Sequence, residues 1–141
     1  MIDGWEGPDA CEMSPGAVST AITVGSVGRG DRRSSFSNLG SCVDMWAPGE
    51  SIVSAGIEGA TSTRQLSGTS QAAPHVAGAA AMLLEQRPRL TPEEVSQQLL
   101  SHATLVNVEG VQRSAASDNL LFTGCVRCVV FLRLSFCASG G

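Results

Sequence analysis

The sequence predicts an α/β protein with a largely parallel sheet around a central helix. Two observations support this. Short β-branched runs alternate with helical segments along the chain, and one helical segment is apolar nearly all round. A helix without a polar face is typical of one buried among other elements. With 141 residues, of which 43% are hydrophobic, the chain is long enough for one domain with a real core.

Three strands are predicted in the first half of the chain and one near its end. Residues 17–27 alternate and are rich in β-branched side chains, whereas 42–45 and 51–57 are shorter runs bounded by turn residues. Residues 119–122 are a candidate for a short terminal strand. Residues 64–67 are expected only to lead into the first helix.

Two helices are predicted in the second half. The first spans 70–86 and tolerates Pro74 because a missing N–H costs least within the first turn. Arg87-Pro88 ends it. The second begins at Thr91-Pro92-Glu93-Glu94, which combines a capping box with proline at the first helical position. Its expected apolar face consists of Val95, Leu99, Leu100 and Ala103.

Composition excludes some partners. A net charge of −4 and a pI near 5.0 argue against a nucleic-acid surface. The opening residues 1–12 are acidic and lack the apolar region of a signal peptide. The longest apolar stretch, 125–137, contains two arginines and is shorter than the ~20 residues of a membrane span. We therefore expect neither nucleic acid nor a membrane as partner, and the oligomeric state is unknown.

Residues 68–78 read Gly-Thr-Ser-Gln-Ala-Ala-Pro-His-Val-Ala-Gly and are the most informative stretch. Ser70 follows a Gly-Thr turn at a predicted helix start, where backbone N–H groups and the helix dipole favour negative charge. A nucleophilic serine needs this environment. The plain alternative is a serine that caps an alanine-rich helix. An α/β-hydrolase would need Gly-x-Ser-x-Gly, and Ala72 occupies the second glycine position.

These eleven residues resemble the nucleophile motif of the subtilisin-like serine peptidases, except that Gln71 stands where methionine is commonest. The runs 9–11, 33–38 and 43–49 are similar to segments of the proteinase K-like branch. The resemblance covers residues 6–125 and implies the C-terminal portion of a subtilisin-like fold, incomplete by itself. Residues 1–5 and 126–141 are unmatched.

The resemblance implies a serine endopeptidase that hydrolyses peptide bonds of peptide or protein substrates through an acyl-enzyme on Ser70. It also implies that Leu66, Ser67 and Gly68 line one side of the substrate groove. It implies an extracellular location for the full-length protein.

The sequence departs from the family in its catalytic partners. The family's aspartate lies in Asp-Thr/Ser-Gly and its histidine in His-Gly-Thr, and neither motif is in this chain. His75 and His102 are expected to be structural or surface residues. Trp5 stands where the family has its oxyanion-hole asparagine. We therefore expect this chain to be inactive by itself, and the alternative is a non-enzymatic pseudo-peptidase remnant.

The resemblance also implies two structural features. The Asp44 carboxylate and the carbonyls of Ser19 and Ala21 correspond to ligands of a structural Ca²⁺, with an aspartate that accepts backbone hydrogen bonds as the alternative. Cys11 and Cys42 correspond to a disulfide pair, with two free thiols as the alternative. Cys125-x-x-Cys128 has metal or redox spacing but lacks further ligands, so it is a weak signal.

Overall fold

The computed structural model describes residues 8–111 and 116–123. In these residues the chain forms a four-stranded sheet, a two-stranded ribbon, two α-helices and one short 3₁₀ turn, Ala10–Glu12. The sequence inferences on Trp5, on Cys125 and Cys128, and on the 126–141 tail lie outside the described residues. No helix in the described part is long and apolar enough to cross a membrane.

The sheet is mostly parallel, as predicted. Its strands are β1 (Val24–Val27), β2 (Met45–Pro48), β5 (Thr104–Leu105) and β6 (Asn119–Leu120), in the spatial order β1-β2-β6-β5. The pairs β1–β2 and β2–β6 are parallel, and β5 runs antiparallel to β6. The remaining strands, β3 (Ile52–Ala55) and β4 (Thr63–Leu66), form an antiparallel hairpin.

Three details differ from the sequence prediction. The strand expected over 17–27 is confined to its last residues, because the N–H groups of Ala17 and Ala21 bond to carbonyls three or four residues back and the backbone turns there. The strand expected over 42–45 is found instead at Met45–Pro48, so that only Met45 belongs to both ranges. The segment expected only to lead into the helix pairs instead as β4.

The helices are α1 (Thr69–Gln86) and α2 (Pro92–His102). The capping box of α2 is complete, because the Thr91 hydroxyl accepts from the Glu94 N–H at 3.3 Å and the Glu94 carboxylate accepts from the Thr91 N–H at 2.8 Å. These hydrogen bonds to Thr91 lower the pKa of the Glu94 carboxyl below its usual range.

The exposed face of α1 agrees with the expectation that the fold is incomplete by itself. α1 packs on β1, β2 and α2, which cover only one of its faces. Its opposite face, which includes Ala77, Ala81 and Met82, is exposed. Four of its residues are buried: Ala72, Val76, Ala79 and Leu83.

Two apolar clusters lie on opposite faces of the sheet. Met45 and Ala47 point from β2 toward α1 and α2, whereas Trp46 between them points to the other face. The Trp46 ring is fully buried and its Nε1–H donates to the Ser117 carbonyl at 2.7 Å. Gly25 pairs with Trp46 in register, and a Cβ there would lie 2.4 Å from the ring. Glycine at position 25 therefore makes room for the indole.

Candidate active site

A short connection between the β3–β4 hairpin and α1 places Ser70. Gly68 is the N-cap of α1, and Ser70 is the second residue of the helix. The Gly68 N–H donates to the Gly49 carbonyl at 2.8 Å, which ties the connection to the end of β2. Ser70 is exposed. Its hydroxyl is therefore accessible at a helix start that the sheet holds in place.

The backbone around Ser70 favours a negative charge. The hydrogen-bond ladder of α1 begins with the N–H groups of Gln71 and Ala72, which both donate to the Gly68 carbonyl at 3.0 and 3.3 Å. The N–H groups of Thr69 and Ser70 precede that ladder, at the positive end of the helix dipole. An oxyanion that forms next to Ser70 would meet at least one backbone donor.

Ser70 lines a cavity of about 400 Å³. The cavity lies between the first turn of α1, the start of β1 and the turn that follows the 3₁₀ helix. Its other walls include residues 13–16 and 22–25 together with Asn38. A volume of this size is in the range of pockets that hold small ligands or single side chains.

Both histidines of the chain are bonded within their own helices. Nδ1 of His75 lies 2.8 Å from the Gln71 carbonyl, and Nδ1 of His102 lies 2.7 Å from the Gln98 carbonyl. His75 is half-buried five residues after Ser70, and His102 lines a separate small pocket with Leu99 and Phe122. Neither imidazole bonds to Ser70 in the described residues, which agrees with the structural role expected from the sequence.

A comparison of the sequence with models of known protein families agrees with an exposed serine at a helix start. Residues 8–119 match the model of the subtilase family of peptidases, and this range covers most of the chain. The chain belongs to the subtilase family.

Relatives and solved structures support this assignment. The chain is 48% identical over 118 residues to an extracellular serine proteinase of Thermus sp. (strain Rt41A), covering 84% of this chain. It is 46% identical over 123 residues, or 87% of this chain, to an alkaline serine exoprotease A of Vibrio alginolyticus. A cold-adapted subtilisin-like serine proteinase of known structure matches 83% of the chain with a TM-score of 0.75 and 44% identity.

This subtilase chain spans only part of those proteins. It covers 28% of the Thermus proteinase, 22% of the Vibrio exoprotease and 41% of the cold-adapted proteinase. The described residues therefore correspond to part of a subtilase domain.

The segment that precedes the subtilase serine lies on the surface. Leu66 ends β4 with 45% of its side chain exposed, and Ser67 is also exposed. The Ser67 hydroxyl accepts from the Ser51 N–H at 2.9 Å, which fixes the hairpin end. Leu66, Ser67 and Gly68 thus connect the end of β4 to the start of α1, two to four residues before Ser70.

The Asp44 carboxylate bonds to Thr23, which lies close to the two other residues that the resemblance named as calcium ligands. One oxygen of its carboxylate, Oδ2, accepts from the Thr23 N–H at 2.7 Å, and Thr23 follows Ala21 by two residues. Ser19 and Ala21 themselves are exposed. In the described residues no group of three or more histidine, cysteine, aspartate or glutamate side chains converges. A cation near Asp44 would therefore need backbone carbonyls as its other protein ligands.

The structure joins Cys11 to Cys42 by a disulfide with a Cα–Cα distance of 5.2 Å. This is the pairing that the resemblance implied. It ties the 3₁₀ turn to the segment that enters β2. Ala10 and Met13, which flank Cys11 and Glu12, line the cavity beside Ser70, so the disulfide holds one wall of that cavity.

Proposed function

We propose that the chain supplies the nucleophile of a subtilisin-like serine endopeptidase. The observation that carries this proposal is an exposed serine at a helix N-terminus, inside a subtilase match, beside a cavity. The serine-peptidase chemistry is supported by one relative named as a serine proteinase and another named as a serine exoprotease. Peptides or proteins are the substrates that follow from this chemistry. The Thermus relative, named as extracellular, supports secretion of the full-length protein.

In the complete domain, the Ser70 Oγ attacks the carbonyl carbon of the scissile peptide. Its proton passes to a general base and then to the departing amine, while the C–N bond breaks and an ester forms on Ser70. Water then hydrolyses the ester. The Ser70 N–H helps to stabilise the oxyanion. Leu66, Ser67 and Gly68 form one side of the groove that holds the peptide.

The general base is expected to come from outside the described residues, because within them neither imidazole forms a hydrogen bond to Ser70. For this reason we propose that the chain by itself does not hydrolyse peptides. The same observation supports the alternative of a pseudo-peptidase remnant.

A chimaera tests the proposed function. Residues 8–123 of this chain replace the matching segment of the Thermus proteinase, which supplies the rest of the domain. We expect the chimaera to cleave casein, and the substitution Ser70→Ala to lower turnover by about 10⁶, the loss measured when the serine of subtilisin is removed. Turnover is followed by release of soluble peptides.

The matched control is Ser101→Ala, which removes an exposed serine at the far end of α2 and should leave turnover unchanged. A chimaera with native circular dichroism and cooperative melting but no turnover would contradict the endopeptidase proposal. That result would support the pseudo-peptidase alternative.

We also propose a structural Ca²⁺ held by the Asp44 carboxylate and the carbonyls of Ser19 and Ala21. The hard oxygen donors of this set fit calcium. The Thr23 N–H donates to one oxygen of the Asp44 carboxylate and so orients the other oxygen, which makes Asp44 a suitable ligand for the ion. The ion would stabilise the turn between the 3₁₀ helix and β1 and takes no part in the chemistry.

Calcium is expected to raise the melting temperature of the chain, since a ligand that binds only the folded state stabilises it by mass action. The measurement is a thermal melt at increasing CaCl₂ with MgCl₂ as control. Asp44→Asn should remove the response, whereas Asp31→Asn, at an exposed aspartate in another loop, should keep it. Equal melting temperatures of the original chain with and without calcium would contradict the site.

A further inference from the structure

Three serines are completely buried next to the segment that precedes Ser70. Ser26 lies in β1, and Ser34 and Ser37 lie in the loop that follows, and each is 0% exposed. The hydroxyls of Ser26 and Ser34 share a hydrogen bond of 2.7 Å. Burial of a hydroxyl is unfavourable unless it is hydrogen-bonded, so a buried pair of this kind is a specific feature of the structure.

The loop is bonded closely to β1 around this pair. The Ser26 N–H donates to the Ser37 hydroxyl at 3.0 Å, and the Ser34 N–H donates to the Ser26 carbonyl at 2.9 Å. Immediately before Ser34, the Arg33 N–H donates to the Glu109 carbonyl at 2.9 Å. The loop therefore holds the Ser34 hydroxyl against Ser26 with little freedom to withdraw.

The Ser26 side chain lies close to Gly49. A Cβ on Gly49 would lie 2.2 Å from the Ser26 Oγ and 2.7 Å from the Gly68 carbonyl oxygen. Gly49 is buried between these two groups, and only a residue without a side chain fits there. A displacement of the Ser26 hydroxyl would thus be transmitted to the backbone of Gly49.

Gly49 in turn fixes the start of α1. Its N–H donates to the Val27 carbonyl at 3.0 Å, and its own carbonyl accepts from the Gly68 N–H at 2.8 Å. Gly68 is the N-cap of α1, two residues before Ser70. A continuous series of contacts therefore runs from Ser34 through Ser26, Gly49 and Gly68 to Ser70.

We propose that the buried Ser26–Ser34 hydroxyl pair is a positioning element that sets the location of the Ser70 hydroxyl through Gly49 and Gly68. Neither serine touches the substrate. The inference rests on the proposed function of Ser70. Its physical basis is that a nucleophile misplaced by about 1 Å can lose two orders of magnitude in rate.

The first test uses amide hydrogen exchange in the full 141-residue chain. Ser26→Ala is expected to speed exchange of the Gly68 N–H about tenfold. The N–H of Val95, which donates to Thr91 in α2, is the reference and should be unaffected. Equal acceleration at Gly68 and Val95 would mean general destabilisation and would overturn the inference.

The second test measures kcat and KM in the chimaera described above. Ser26→Ala is expected to lower kcat by tenfold or more at unchanged KM, because binding does not depend on the Ser70 hydroxyl. Ser35→Ala, at an exposed serine in the same loop, is the matched control and should change neither constant.

A double variant separates position from stability. Ser26→Ala alone leaves the Ser34 hydroxyl buried without its partner, whereas Ser26→Ala with Ser34→Ala removes both polar groups and should recover much of the melting temperature. We expect kcat to stay low in this double variant. Recovery of kcat together with the melting temperature, or an unchanged kcat in both variants, would overturn the inference.

The two proposals fail in different ways. If the chimaera carrying the original serines has no activity, the proposed function fails, and the exchange experiment in the full chain still decides the inference. If the chimaera is active but the Ser26 variant matches it in kcat, the endopeptidase function stands and the positioning role is wrong.

Discussion

The 141-residue chain alone is expected to leave casein intact and to react with a fluorophosphonate probe no faster than an ordinary serine hydroxyl. In subtilisin, loss of the histidine of the triad costs about 10⁶ in turnover. The two histidines bond through Nδ1 to the Gln71 and Gln98 carbonyls, and in the described residues neither forms a hydrogen bond to the Ser70 hydroxyl that would let it take the proton. The Ser70 N–H can still stabilise an oxyanion, but a neutral hydroxyl without a base is a weak nucleophile.

The measurement compares the isolated chain with the chimaera at equal concentration. Probe incorporation is read by mass spectrometry of the peptide that contains Ser70, and cleavage is read by soluble peptide release. The chimaera should be labelled completely while the isolated chain is not. Its Ser70→Ala variant sets the background of both assays.

Stoichiometric labelling of the isolated chain at Ser70 would contradict this prediction and would show that a base exists within it. His75→Ala and His102→Ala would then identify that base. Loss of labelling in only one of these variants would assign the role to that histidine, despite its bond to its own helix.

The sequence was sufficient for features that depend on local patterns. The capping box at Thr91 to Glu94 predicted the start of α2, because both of its hydrogen bonds form within one turn. The Gly-Thr-Ser turn likewise predicted that Ser70 lies at a helix start, one residue from where α1 begins. The family and the disulfide pairing followed from longer motifs and not from physical patterns.

Features that depend on distant contacts were missed. β4 shows no alternation because all four of its side chains are exposed, so its sequence contains no burial pattern to detect. The packing of Trp46 on Gly25 requires the register of two strands that lie about twenty residues apart, which periodicity cannot supply. The exposed face of α1 was expected only because the resemblance implied an incomplete fold, since a helix of small apolar residues has the same sequence whether one or both of its faces are covered.

In the candidate site, too, local motifs were predicted from the sequence and distant contacts were not. Ser70 could be located from its motif, but the cavity beside it could not. Its walls come from residues 13–16, 22–25 and 38, and only the folded sheet brings them against α1. The buried Ser26–Ser34 pair was likewise not predicted, because Ser34 lies in a polar loop, where a serine is usually exposed, and nothing in the local pattern shows that it bonds to Ser26.

Reduction of the disulfide is expected to lower the free energy of unfolding of the chain by about 3 to 4 kcal/mol. Cys11 and Cys42 are 31 residues apart in sequence, so the bond removes a large share of the conformations available to that part of the unfolded chain. A loss of this size is a large fraction of the stability of a typical domain.

Urea unfolding with and without dithiothreitol measures this effect. The other three of the five cysteines, Cys125, Cys128 and Cys137, are first replaced by serine so that only this pair responds to the reductant. Cys11→Ser with Cys42→Ser in the same background is the control, and its unfolding midpoint should not move when dithiothreitol is added.

Thiol counting provides an independent check. Without reductant, the unfolded chain in which Cys125, Cys128 and Cys137 are replaced by serine should expose no reactive thiol, because the disulfide withholds both remaining cysteines. Two reactive thiols in this variant prepared under oxidising conditions would contradict the bond. Ala10 and Met13, which flank Cys11 and Glu12, line the cavity next to Ser70. Reduction of the chimaera should therefore also lower its kcat, and to a greater extent than an equal destabilisation produced by Leu99→Ala in the core between α1 and α2.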